Sequence, residues 1–287
     1  MRARLNDTEL YFDVDGSALV PDGDRMAERP VLFLLHGGPG SDHSVFKPAY
    51  TPLKDVAQLV YHDMRGCGRS AAADPQSCTL AQNIADLDAL RAHLGVVRMS
   101  LLGSSYGGMV ALGYALEFPD RLDNLILVAT APSYRFLDEA RQIVQERGTP
   151  DQVRVCRALW EGSFGSLEQL HEYYRIMSPL YAKSFNPEKF DEGWGRGIRS
   201  FSALNRGFGD FLRTFDYVDR LHEIECPTLI LAGAHDWICP PSQSRLMAEH
   251  IPRSHLKLFE RSSHAIAADE TEAFLRVVGG FLTYALR

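Results

Sequence analysis

The sequence predicts an α/β fold: a mostly parallel sheet with helices on both faces and one inserted helical segment. Three observations carry this. Short apolar runs alternate with stretches of helical periodicity up to residue 132 and again from 223. Residues 133–222 break that rhythm, with amphipathic helical stretches, many aromatics and no convincing strand. At Gly103–Gly107 an apolar run meets a helical pattern directly through Gly-x-Ser-x-Gly, the layout of a strand, a very tight turn and a helix. The expected organisation is a core in two parts, 1–132 and 223–287, with a helical cap, 133–222, between them.

The elements follow in order. Leu10–Val14 alternates weakly and reads as an edge strand, and the polar stretch 17–29 as a loop. Pro30–Leu35 is continuously apolar, as expected for a strand buried on both faces. It runs into His36–Gly37–Gly38–Pro39–Gly40, a rigid turn with accessible backbone N–H groups. Ala57–Asp63 is the next strand. The turn after it imitates a dinucleotide fingerprint (Gly66, Gly68, Ala71, with Asp86 beyond), but Asp74–Pro75 breaks the helix such a fingerprint must open. A structural turn is expected there. Thr79–Gln82 is a capping box, Ile84, Leu87, Leu90 and Leu94 follow at helical spacing, and Gly95 is the stop. Arg98–Leu102 leads into the Gly-x-Ser-x-Gly turn, whose helix stops near Pro119. Leu122–Thr130, Cys226–Gly233 and Leu256–Phe259 are the remaining strands, and 271–287 is a closing helix.

Composition narrows the function. The 287 residues carry a formal net charge of −7 and no Lys/Arg cluster, which argues against nucleic acid. The N-terminus lacks a secretory pattern, and the longest apolar runs are far too short to span a bilayer. The five cysteines are widely spaced without metal-binding patterns, as in a cytoplasmic protein with reduced thiols.

The chemistry lies in the turn. Its geometry holds Ser105 in a strained conformation with the side chain pushed out of the fold. Serine hydroxyl is a poor nucleophile and needs a base, which in turn needs an acid to fix its tautomer. On a sheet of this kind the order is serine, acid, histidine. Ser105, Asp236 and His264 satisfy it, each partner just past a strand's C-terminal end, the edge where such sheets bind ligands. The N–H groups of Gly38 and Tyr106 are the expected oxyanion donors. His36 is expected to hold its loop by hydrogen bonds. His235, on the acid's own loop, reads as structural, and His62 and Asp63 stand in the wrong order.

These motifs resemble the α/β-hydrolase superfamily and, within it, the proline iminopeptidase family, including aminopeptidases that work downstream of the tricorn protease. His36–Gly40 is the most specific match. Asp63–Ser70, Gly103–Gly108, His235–Pro240 and Ser263–His264 are similar to further family motifs, and Trp160–Glu161–Gly162 to a stretch of its helical cap. The rest of the cap matches poorly. The resemblance implies hydrolysis of an amide or ester through an acyl-enzyme, without metal or cofactor. In peptidase members the cap supplies carboxylates that hold the substrate's α-amino group. In the tricorn-associated members a glutamate follows the catalytic aspartate, where this chain has Trp237. Glu161 and Asp210 are candidate replacements, with Gly37 and Trp237 as further candidate substrate contacts.

The first expectation is therefore an aminopeptidase that releases an N-terminal residue, proline or another small apolar one, from short peptides or amides. A pocket without paired carboxylates would instead suit an uncharged acyl group, as in a carboxylesterase, amidase or lactonase. An acyltransferase or a ligand-binding receptor on the same fold are further alternatives. Epoxide hydrolases and haloalkane dehalogenases carry an aspartate where Ser105 stands. The expected partner is a small molecule or short peptide, with no nucleic acid and no membrane. The oligomeric state is left open.

Overall fold

The apolar runs pair into one eight-stranded sheet in the computed structural model, which describes residues 1–284. Its strands are β1 (Arg2–Leu5), β2 (Thr8–Asp15), β5 (Val31–Leu35), β6 (Gln58–His62), β7 (Met99–Ser104), β8 (Leu122–Val128), β9 (Thr228–Gly233) and β10 (Ser254–Phe259). The order across the sheet is β1-β2-β6-β5-β7-β8-β9-β10. β1 and β2 pair antiparallel with each other, and β2 with β6; every other pairing is parallel.

Strand alternation gives each sheet face its own core. Phe33, Leu35 and Leu101 face one cluster, shared with α1 (Leu80–His93), α2 (Tyr106–Glu117) and α8 (Pro241–His250). Leu32, Leu34 and Leu102 face the other, shared with Phe46, Tyr50 and α10 (Thr271–Tyr284). Helix α2 is buried from Tyr106 to Leu116 on all sides, because it lies beneath the centre of the sheet and is covered in turn by α1. Residues 285–287 of the expected closing helix lie outside the described residues.

Two expectations need correction. Leu10–Val14 is not at the edge: β1 covers β2, and four residues at the N-terminus were too few to show a period. The stretch read as a loop contains a two-stranded hairpin, β3 (Leu19–Asp22) and β4 (Arg25–Glu28). It is exposed and packs on no core, so its sequence carries no alternation. The Thr79 cap is made, with Oγ1 accepting from Gln82 N at 3.2 Å, but the Gln82 amide turns to Asp86 rather than completing the box.

Between β8 and β9 lie five α-helices: α3 (Phe136–Arg147), α4 (Pro150–Glu161), α5 (Leu167–Tyr181), α6 (Pro187–Trp194) and α7 (Phe201–Gly209). The ends of this insert are pinned together. Tyr134 N donates to Phe215 O at 2.8 Å and Tyr217 N to Pro132 O at 2.9 Å. No helix among the described residues is long and apolar enough to cross a membrane.

Polar groups fix the two loops beside the turn at Ser105. His36 is buried; its Nε2 accepts from Met64 N at 3.0 Å and its Nδ1 donates to Gly37 O at 2.9 Å, so it holds the glycine loop as a neutral ring. Buried Asp63 accepts from His43 N, His43 Nδ1 and Arg69 N at 2.7–2.8 Å. No helix opens at Ala71; the segment is turn and bend.

The turn itself is set by steric contact. A Cβ at Gly107 would sit 2.1 Å from Leu35 O, and one at Gly103 would sit 2.3 Å from Gly107 O. Both oxygens are backbone and cannot swing away. Gly107→Ala should therefore cost several kcal/mol or prevent folding. Gly280, in α10 with nothing near its missing Cβ, should tolerate alanine and gain up to about 1 kcal/mol. Urea unfolding of the two variants checks both; equal midpoints would contradict the close approach.

Burial also pushes the neutral rings of His36 and His62 below the ordinary imidazole value of 6.5, His62 to about 4 with the neighbouring His36 adding to the shift. Above pH 6.5 this costs nothing. Below it the unfolded chain takes up protons that the folded chain refuses, until His62 itself titrates. Stability at pH 5 should be lower than at pH 7 by about 2 kcal/mol from His62 alone. Urea midpoints at the two pH values test this, and His62→Gln should flatten the dependence.

Candidate active site

Ser105 occupies the turn between β7 and α2 with φ 55° and ψ −122°, a conformation rare for any residue with a side chain. The surrounding backbone over-determines it. Ser105 N donates to Val128 O at 2.9 Å, and Ser105 O accepts from Gly108 N at 2.8 Å and from Thr130 Oγ1 at 2.7 Å. Gly37 lies against it: a Cβ there would be 3.1 Å from Ser105 Cβ.

His264 follows β10 and Asp236 follows β9, and the parallel pairing of these strands brings the two loops together. His264 Nδ1 lies 2.8 Å from Asp236 Oδ2. The other oxygen of the buried carboxylate accepts from Ile238 N at 2.9 Å and Cys239 N at 3.0 Å. The charge is thus satisfied on both oxygens, and Nδ1 is the protonated ring nitrogen. That leaves Nε2 as the basic one. His264 and Ser105 line the same cavity. The Ser105 hydroxyl makes no hydrogen bond of 3.5 Å or less within the described residues, so the serine–histidine link is open in this conformation. Such contacts are often long before substrate binds.

Gly38 lines the cavity too, and Tyr106 opens α2 directly after the serine. Neither backbone N–H is used by any described residue. The Tyr106 side chain points away; it is buried, and its hydroxyl accepts from Asn83 Nδ2 at 2.7 Å.

The cavity has a volume of about 270 Å³. Met109, Phe136, Leu159, Phe208 and Leu212 make much of its wall, with Tyr50, Tyr174 and Tyr181. No Asp, Glu, Lys or Arg among the described residues lines it. Burial pushes the hydroxyls of the three tyrosines and the Cys239 thiol up, so these groups stay protonated and uncharged.

Three candidate substrate contacts are not in this wall. Glu161 is exposed at the C-terminal end of α4 and faces a separate surface hollow among Arg154, Arg157 and Glu172. Asp210 is exposed and paired with Arg206 one helical turn earlier. Trp237 is buried behind the site, its ring edge-on to Tyr181 at 5.2 Å and to Trp160 at 6.1 Å. Its indole N–H has no partner among the described residues.

Tyr181, one of the many aromatics of the insert, was not among the candidate site residues, yet it adjoins His264. Its ring lies edge-on to His264 at 5.5 Å, and its carbonyl accepts from Ala265 N at 2.9 Å. Ser184 donates through both N and Oγ at 2.7 Å to Oδ1 of Asp269, the last residue of the short helix α9 (Ile266–Asp269). The end of α5 is thereby tied to the histidine loop. A faint signal existed: Tyr174 and Tyr181 are seven residues apart, two helical turns on one face, and Met109 is one turn after Ser105.

Known proteins share this framework. The alpha/beta hydrolase fold family matches residues 30–271. A proline iminopeptidase of Clostridioides difficile is 31% identical over 91% of this chain and 92% of its own. Proline iminopeptidase PfmaB of Pestalotiopsis fici is 28% identical over 95% and 98%. An alpha/beta fold family hydrolase from Bacillus anthracis superposes with a TM-score of 0.78 at 23% identity, covering 99% of this chain and 98% of that one, a likeness of fold. The chain is a hydrolase that belongs to the α/β-hydrolase fold family and, within it, to the proline iminopeptidase family.

Proposed function

We propose that Ser105 is the nucleophile of a serine hydrolase that cleaves esters or amides of small, uncharged acyl groups through an acyl-enzyme. The observation that carries this reading is the cavity wall: apolar side chains and neutral hydroxyls surround Ser105, with no carboxylate among the described residues to balance a substrate cation. An ammonium group buried there would lose its hydration without a counter-charge.

His264 Nε2 removes the Ser105 proton as Oγ attacks the substrate carbonyl, and Asp236 steadies the imidazolium that forms. The free N–H groups of Gly38 and Tyr106 take the developing oxyanion, helped by the positive end of α2. His264 returns the proton to the leaving group, and water then repeats the sequence on the acyl-enzyme. We read residues 133–222 as a cap over the cavity that admits small molecules and excludes folded chains.

Removal of an N-terminal residue is the second reading, favoured by the 28% and 31% identity to relatives that carry the iminopeptidase name. Without a carboxylate in the wall, the α-amino group would enter as the free base. Its ordinary pKa of about 8 makes this cheap, and turnover of such substrates would rise with pH through that value.

A paired rate comparison separates the two, with Ser105→Ala as the blank. p-Nitrophenyl butyrate should be hydrolysed, and proline p-nitroanilide should be no better a substrate than its N-acetyl derivative. Efficient cleavage of the free amine that N-acetylation abolishes would favour the aminopeptidase. Ser105→Ala should remove essentially all turnover; wild-type rates in that variant would refute the nucleophile.

Asp236→Asn keeps the size of the side chain but can present an amide N–H to His264 Nδ1, which favours the wrong tautomer. We expect kcat to fall by about 10³- to 10⁴-fold, with urea stability changed far less. A loss under tenfold would take Asp236 out of the proton path.

A further inference from the structure

Beside the cavity at Ser105 lies a second hollow of about 150 Å³ that shares Ser41, Val45, Tyr174 and Leu204 with it. The two spaces are therefore neighbours with a common wall, and the glycine loop, through Pro39 and Gly40, borders the second as it borders the first. This hollow differs from the first in one respect. Arg199 lines it.

Arg199 is held but not neutralised. Its Nη1 donates to Trp194 O at 2.7 Å and to Gly197 O at 3.3 Å, and the guanidinium lies over the Trp194 ring at 3.9 Å. Those contacts use one nitrogen and one face of the fork. No carboxylate of the described residues lies within 4.0 Å. Asp42, the acid whose charge reaches it, is fully engaged: Arg69 Nη1 and Ile198 N occupy one oxygen and Ser44 the other. Nε and Nη2 have no partner among the described residues. Half-buried arginines usually meet an acid, because an unpaired charge taken out of water is costly. Fixed by its stacking and one nitrogen, this one offers a free N–H edge suited to a planar two-oxygen acceptor.

We propose that Arg199 binds a carboxylate on the leaving group of the substrate. This rests on the serine-hydrolase reading above and extends it. The neutral acyl group would fill the apolar cavity, and the leaving alcohol or amine would extend past Tyr174 and Leu204 toward the guanidinium. The substrate class is then an ester or amide whose departing half is an acid, such as an acyl hydroxy acid, an acyl amino acid or an N-acylated dipeptide. Hydrolysis needs only water: the acyl–oxygen or acyl–nitrogen bond breaks, His264 protonates the departing atom, and the carboxylate leaves unchanged.

The test uses one pair of esters, 4-butyryloxybenzoate and its neutral carboxamide, 4-butyryloxybenzamide. The quantity read is the ratio of their kcat/KM values, so differences in intrinsic reactivity cancel between variants. Arg199→Gln should lower the acid-over-amide ratio by about tenfold or more, the scale of a charge-assisted bidentate contact. Arg199→Lys should fall between, since it keeps the charge and loses the fork. The wild-type ratio should also decline as salt rises. An unchanged ratio in Arg199→Gln alongside Ser105-dependent turnover would overturn the inference and leave the hydrolase reading standing. If no Ser105-dependent turnover is found, that reading fails by itself, and binding still decides the role of Arg199. 4-Butyramidobenzoate, titrated into Ser105→Ala by calorimetry, should bind about tenfold more tightly than into Ser105→Ala/Arg199→Gln. Equal affinities would reject the site and mark Arg199 as a tether for the end of α6.

Discussion

The architecture of the site depends on one close approach. Leu35 O at the end of β5 lies so near the first turn of α2 that no side chain fits at Gly107, and α2 in turn lies so near β7 that none fits at Gly103. That contact forces the reversal through a single residue. Ser105 takes its positive-φ conformation because strand and helix leave it no other, and its side chain must then point out of the sheet's C-terminal edge. The cost is local and is met by the all-round burial of α2 and by the hydrogen bonds to Ser105 O. Backbone strain at the serine is thus held by packing far larger than itself.

Parallel pairing supplies the rest of the constellation. β9 and β10 run in register from Thr228↔Ser254 to Gly233↔Phe259, so the loops that follow end at one level. Asp236 and His264 meet there although 28 positions apart in sequence. The insert then closes over them from the side, with Tyr181 edge-on to His264 and the end of α5 bonded to the histidine loop. A shift of α5 would therefore displace His264 as well as the wall of the cavity. On the proposed mechanism, contacts of this kind would couple the shape of the insert to catalysis without any residue of the insert taking part in proton transfer.

The contrast between what the sequence revealed and what it hid follows from this arrangement. Strands β5, β7, β8 and β9 are buried on both faces over most of their length, so each carries a short apolar run, such as Leu125–Val128 or Leu229–Ala232, with little choice of interpretation. The turn at Ser105 is legible because sterics leave only glycine at its flanks. His36, read as a loop-holding residue, does hold its loop. The hairpin at 19–28 was invisible because neither face is buried. Glu161, Asp210 and Trp237 were selected by resemblance and by position next to a motif, and position along the chain does not determine which way a side chain turns. Asp210 caps α7 and turns back to Arg206; Trp237, next to the acid, fills space behind Tyr181. The wall of the cavity comes from eight separate stretches of chain, and no local pattern in any one of them marks the residues that meet.

An apolar wall is a choice with two consequences. Excluding water and mobile charge strengthens the attraction between His264 and Asp236 and between an oxyanion and the N–H groups at the start of α2, since both act through a lower effective dielectric. The same wall disfavours any ionic group on the acyl half, because nothing there replaces its hydration. Charge can be admitted only where a counter-charge waits. Arg199 stands at the neighbouring hollow with its acid neighbour already occupied, and the insert that carries it also carries Tyr174 and Tyr181. Selectivity for the neutral half and for the charged half would then come from one structural unit. The insert can change both while the strand order and the turn that bring Ser105, Asp236 and His264 to one edge stay as they are.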